Sequence, residues 1–171
     1  MNLTQLQIGI YLSTQLTVKN LDGEGSFDYT VGLHTYFKVK DIHTTLVNQL
    51  VLSGQEQLHF LDNMQKRQAF VTNDRAPVSF SGEFDRIFLD TSNNIQILQE
   101  GGGEPPVVVE KSFKDAVIWN PWAEKAISIA DLGDNEWKEF VCVEAVQFQP
   151  AVVLQKGQEW KAGQFIYLAK E

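Results

Sequence analysis

Cysteine is almost absent from this chain: Cys142 stands alone among 171 residues. One thiol closes no internal disulfide and builds no thiolate metal cluster. Histidine is nearly as scarce, with His34, His43 and His59 only, too few for a histidine-rich metal site. We therefore expect no metal site. Basic residues are outnumbered, 14 Lys and Arg against 22 Asp and Glu, for a formal net charge of −8. A general nucleic-acid binder needs clustered cations to neutralise phosphates, so that class is set aside. No run of about eighteen apolar residues occurs, and none of the chain is expected to span a membrane as a helix. The opening residues Met1 to Ile8 lack the basic and apolar regions of a secretory signal, and we expect a cytoplasmic protein.

What the chain does have is short stretches of alternating character. With 43% hydrophobic residues it suits a single domain over residues 1–171. Leu12, Thr14, Leu16 and Val18 alternate with polar neighbours, and a Gly- and Asp-bearing turn over residues 20–25 follows. Phe27 to Val39 alternates throughout, which predicts a strand hairpinned with the one before it. Further short strands are expected at 44–47, 49–52, 78–80, 87–89, 95–98, 107–109, 117–119 and 140–146. The segments 151–154 and 160–168 read as a closing hairpin turned at Lys156-Gly157-Gln158. Residues 54–67 read as a loop, and so does Gly101-Gly102-Gly103-Glu104-Pro105-Pro106, which fits neither helix nor ladder. Asn120-Pro121 predicts the start of a short helix, with Asn120 as its cap. Together these predict an all-β, antiparallel β-sandwich.

Two of the strands carry residues that invite chemistry. In Phe27–Val39 the residues Asp28, Thr30, Gly32, His34, Tyr36 and Lys38 share one face, because successive strand side chains point to opposite sides. His34 thus sits among polar and ring-bearing neighbours, as a cleft histidine would. The plainer reading is a half-buried histidine with a satisfied hydrogen bond. In Phe140-Val141-Cys142-Val143-Glu144-Ala145-Val146 a carboxylate interrupts an apolar run, sharing its face with Phe140, Cys142 and Val146. Burying a charged carboxylate costs several kcal/mol unless it is paired or protonated. That environment raises its pKa towards the range useful for proton transfer. The plainer reading is an acid at a sheet margin whose tip reaches water. Asp85-Arg86, taken alone, reads as a solvated pair at a strand entry.

Taken in order, Gly32-Leu33-His34-Thr35-Tyr36-Phe37, Asp85-Arg86-Ile87-Phe88, Val117-Ile118-Trp119-Asn120-Pro121-Trp122, Ala130-Asp131-Leu132-Gly133-Asp134 and Phe140-Val141-Cys142-Val143-Glu144-Ala145 resemble the glucose-6-phosphate 1-epimerases of the aldose 1-epimerase superfamily. The hairpin from Val152 to Trp160 is similar to that family's last strands. The resemblance implies a galactose mutarotase-like supersandwich, with His34 and Glu144 at the catalytic positions and Asp85 holding sugar hydroxyls. It implies interconversion of the α and β anomers of a hexose 6-phosphate, without cofactor. Arg86, Trp119 and Trp122 are the further candidate substrate contacts, a tryptophan offering an apolar wall to a sugar face. The family begins with a long β-rich segment that has no counterpart here, so the chain is expected to correspond to the later half to two-thirds of such a protein. Arg86, Lys38, Arg67, Arg75 and Lys125 are the cations left for a phosphate, and unpaired strand edges would favour self-association. The competing classes are a non-catalytic sugar-binding sandwich and an inactive fragment.

Overall fold

The computed structural model describes residues 2–8, 11–21, 25–101 and 103–169. Its strands are β1 (Asn2–Ile8), β2 (Tyr11–Lys19), β3 (Phe27–Leu33), β4 (Tyr36–Lys38), β5 (Thr45–Asn48), β6 (Leu58–Asp62), β7 (Gln68–Thr72), β8 (Phe84–Leu89), β9 (Asn94–Gln99), β10 (Val107–Lys111), β11 (Asp115–Asn120), β12 (Phe140–Leu154) and β13 (Glu159–Leu168). One short helix, α1 (Trp122–Ala126), follows β11. Every pairing is antiparallel. One sheet runs β1-β2-β13-β10-β9-β5, the other β3-β12-β11-β8-β6-β7 with β4 also against β12. The expected antiparallel sandwich is the fold.

Alternation along the strands builds the core. Val109, Ile95 and Val47 from the first sheet meet Ile118, Val141 and Val143 from the second, all fully buried. Each such side chain contributes about 1.5–3 kcal/mol when taken out of water. The neighbours of Val141 and Val143 on β12, Cys142 and Glu144, point the other way, onto the outer face of the second sheet.

Partner choice departs from expectation in several places. β2 does not hairpin with β3. It pairs with β1 and β13, while β3 joins β12 in the other sheet. β12 and β13 likewise lie in different sheets, so the closing turn is a crossing between layers rather than a hairpin. The two crossings are tied together at buried Asn20. Its backbone N–H donates to Gln158 O, its carbonyl accepts from Gly157 N–H, and its side-chain amide donates to Gly25 O and Leu154 O. Part of the turn after Asn20, and part of the triple-glycine loop, lie outside the described residues.

The region read as a loop at 54–67 contains β6, which pairs with β7 and β8. Its polar Asp62 is buried against Arg86, which disguises the strand's inward face. The helix starts one residue later than expected: Pro121, not Asn120, takes the N-cap position, and it makes no side-chain cap bond. Asn120 precedes it, its side-chain oxygen accepting from Trp122 N–H while its amide donates to Trp137 O and Phe140 O. The stretch Phe27–Val39 is not one continuous strand. It opens at His34 and Thr35, between β3 and β4.

Candidate active site

That opening is where the site forms. Leu33 pairs with Ala145 and Tyr36 with Cys142, so the register is unbroken and His34 stands opposite Glu144 without a ladder bond between them. Both side chains emerge on the outer face, and His34 Nδ1 lies 3.4 Å from Glu144 Oε1. The imidazole side chain is 52% exposed and the carboxylate only 12%.

The same registers lay out two rows across the sheet. His34, Glu144, Val117 and Ile87 form one, and Tyr36, Cys142, Trp119 and Asp85 form the next. Tyr36 stacks on His34 with ring centroids 4.8 Å apart and an interplanar angle of 5°. Trp119 stands edge-on to both, at 5.7 Å from His34 and 6.1 Å from Tyr36. The aromatic packing fixes the imidazole plane while leaving one side of the ring open. Asp85 accepts a 2.6 Å hydrogen bond from the amide of Asn63. Beside it opens a hollow of about 390 Å³ lined by Asn63, Met64, Glu83, Asp85, Trp119 and Lys125.

Electrostatics follow from burial. Desolvation, with the charge of Asp85 adding to it, pushes the Glu144 carboxyl up from 4.5 to about 7. Desolvation also lowers the His34 imidazole, which Asp85 partly offsets. Asp85 itself is raised by burial and by Asp62, against the Asn63 hydrogen bond and the cation of Arg67. Burial thus disfavours the charged form of both groups, moving the carboxyl up and the imidazole down.

His34, Cys142 and Glu144 place potential ligand atoms within 4.8 Å of one another. Burial and the neighbouring Glu144 push the Cys142 thiol far above its ordinary range, so it presents a protonated S–H rather than a thiolate. The trio makes a weak metal seat and a good proton-transfer environment. A larger cleft of about 600 Å³ lies between Phe37, Val39, Ile97, Val107 and Leu168. Its charged lining includes the exposed Lys38–Glu139 and Lys40–Glu104 pairs, and neither His34 nor Glu144 reaches it.

Of the candidates taken from the sequence, the fold gathers His34, Glu144, Asp85 and Trp119 on one face. Two do not join them. Arg86 neighbours Asp85 in sequence, so the strand turns it to the opposite face. There it pairs with buried Asp62 at 3.3 Å and lies between the rings of Phe60 and Phe84. Trp122 packs on Trp137 at 4.6 Å and on His43 at 5.0 Å, away from the site. Asn63 was not anticipated, because it lies in the stretch read as a loop.

The aldose 1-epimerase family model matches residues 6–166. The chain belongs to the aldose 1-epimerase family. Two curated relatives both carry the name "Putative glucose-6-phosphate 1-epimerase". One, from Cenchrus ciliaris, is 34% identical over 150 residues, covering 88% of this chain and 44% of the relative. The other, from Escherichia coli K12, is 30% identical over 151 residues, covering 88% of this chain and 49% of the relative. This aldose 1-epimerase family chain thus spans about half the length of the curated relatives it matches. Among solved structures, one titled a putative mutarotase (YeaD) from Salmonella typhimurium superposes with a TM-score of 0.79 at 25% identity, over 97% of this chain and 52% of that one. A structure titled a putative aldose 1-epimerase from Escherichia coli K12 gives 0.66 at 14% identity, over 94% and 57%, and speaks for the fold alone.

Proposed function

We propose that this chain carries the acid–base centre of a hexose mutarotase, acting on hexose 6-phosphates. The observation that carries the proposal is the His34–Glu144 pair, opposed at 3.4 Å on an open face beside a polar hollow. Anomer exchange needs one group to take a proton and another to give one, at the two oxygens bonded to C1 of the sugar. Glu144, as carboxylate, takes the proton of the C1 hydroxyl. The freed electron pair forms the C1 carbonyl as the C1–O5 bond breaks, and His34 protonates O5. Rotation about C1–C2 presents the other carbonyl face. O5 then attacks C1 again while His34 recovers its proton and Glu144 returns the other to the carbonyl oxygen. The two steps balance, and no electrons leave the sugar.

Asp85, with Asn63 behind it, holds ring hydroxyls, and Trp119 offers an apolar wall. The 6-phosphate preference is taken from the names of the relatives. Lys125 in the lining of the hollow, and Arg67, whose charge is felt at Asp85, are the cations available to it. The test is NMR or polarimetry of freshly dissolved α-glucose 6-phosphate with and without protein. Glu144→Gln is expected to lower the catalysed rate by about 10²–10⁴-fold while sugar binding by calorimetry persists. An unchanged rate would remove Glu144 from the mechanism. Binding without any catalysed rate in the unsubstituted chain would favour a sugar-binding module instead.

A further inference from the structure

The opening in the ladder that frees His34 has a brace behind it. Thr35, next in the chain, points the opposite way to His34, into the sandwich. From the other sheet Gln164 of β13 points to meet it. Gln164 is 3% exposed, lies in register with Lys111, and has its amide nitrogen 2.9 Å from Thr35 Oγ1. The two residues are 129 apart in sequence, so this contact exists only because the layers close on each other. Thr35 Oγ1 in turn donates to Leu33 O, at 3.4 Å, on the far side of His34. The hydroxyl's one proton being committed there, it can only accept from Gln164, which fixes the direction of the chain: amide to hydroxyl to carbonyl. The Gln164 carbonyl oxygen is buried with no partner among the described residues. A core position filled by a half-satisfied amide costs stability that an apolar residue of similar size would not.

We infer that Gln164 and Thr35 are positioning residues: their hydrogen bond across the core holds the two-residue gap between β3 and β4 in the conformation that sets His34 beside Glu144. His34 has no ladder bond to hold its backbone, and its half-exposed ring rests on Tyr36 and Trp119 and on its contact with Glu144. The hydroxyl–carbonyl bond around His34 and the amide from the opposite sheet replace the missing ladder contacts. The inference concerns the geometry of the pair, and it rests on the mutarotase reading only for its consequence in turnover.

The test uses the full chain with Thr35→Val, which keeps the shape and deletes the hydroxyl, Thr35→Ser, which keeps the hydroxyl, and Gln164→Leu. The His34 ring is titrated by NMR in each, with and without Glu144→Gln. Besides Glu144, the ring faces Asp85, the phenol of Tyr36 and the thiol of Cys142, and none of these is altered. In the unsubstituted chain Glu144→Gln is expected to move the His34 titration. In Thr35→Val that response should fall at least twofold, and Thr35→Ser should restore it. kcat for anomer exchange should drop about tenfold in Thr35→Val with KM little changed. If Thr35→Val, folded by its dispersed methyl spectrum, retains the full response to Glu144→Gln, the inference is wrong whatever becomes of Gln164→Leu. A chain with no turnover but a response that follows the hydroxyl would retain the inference and sink the mutarotase reading. Full turnover in Thr35→Val with an undiminished response would do the reverse.

Discussion

A carboxyl lifted to about 7 is a liability to the fold as well as an asset to chemistry. In the unfolded chain Glu144 titrates near its ordinary 4.5. Between that value and about 7 the folded chain holds a proton that the unfolded chain has released, so stability falls as pH rises through this window. Above it the penalty is constant, on the order of 3 kcal/mol for a shift of this size. Glu144→Gln should therefore resist urea better than the unsubstituted chain at about pH 8, with the advantage gone near pH 4. An equal difference at both values would mean that packing, and not ionisation, sets the effect. Asp85 offers a second test at the same scale. Its negative charge raises both Glu144 and His34, so Asp85→Asn should move both titrations downward. Carbon-detected NMR of the Glu144 carboxyl and proton NMR of the His34 ring read this without turnover. If Glu144 stays in place, Asp85 is too well screened to tune the pair.

At the scale of the elements, alternation in the sequence told faces well and partners badly. The assignment of His34 to one side of its strand and of Cys142 and Glu144 to one side of theirs needs only a period of two. The adjacency of Asp85 and Arg86 by the same rule forbids a shared face, and the structure separates them. What alternation leaves open is which strand lies beside which. The turns after β2 and β12 look like hairpin turns in composition, yet both carry the chain from one sheet to the other. β6 hid because its inward Asp62 is polar, and its ion pair with Arg86 is a tertiary fact. The opening at His34 and Thr35 could not be read either, since its brace comes from a residue 129 positions away. Asn20 is the element-scale feature most open to test. It binds both crossings, and its amide feeds two carbonyls that would otherwise lose a donor. Asn20→Ala should lower unfolding free energy by about 2–4 kcal/mol in urea titrations. Asn20→Asp should cost more at neutral pH, because it sets a carboxylate against those carbonyls. If Asn20→Asp is the milder change, the amide is not the donor that holds the crossings together.

The whole molecule bears a net charge of −8, and the hollow beside the His34–Glu144 pair is lined by Glu83 and Asp85 with Lys125 the one cation among its lining residues. A hexose 6-phosphate approaches as an anion, so the field of the whole chain opposes it, while free glucose is indifferent. Screening weakens that opposition: the Debye length shrinks from ~30 Å at about 0.01 M salt to ~8 Å at about 0.15 M. The chain is therefore expected to use glucose 6-phosphate better as salt is added, with kcat/KM rising several-fold over that range while the value for glucose stays flat. Stopped polarimetry of both sugars across a salt series measures it. A fall with salt for the phosphorylated sugar would show that a local cationic seat outweighs the global field. In that case Lys125→Ala, which should otherwise alter kcat/KM only modestly, ought to abolish the fall, and Arg67→Ala is the control that says which cation forms the seat.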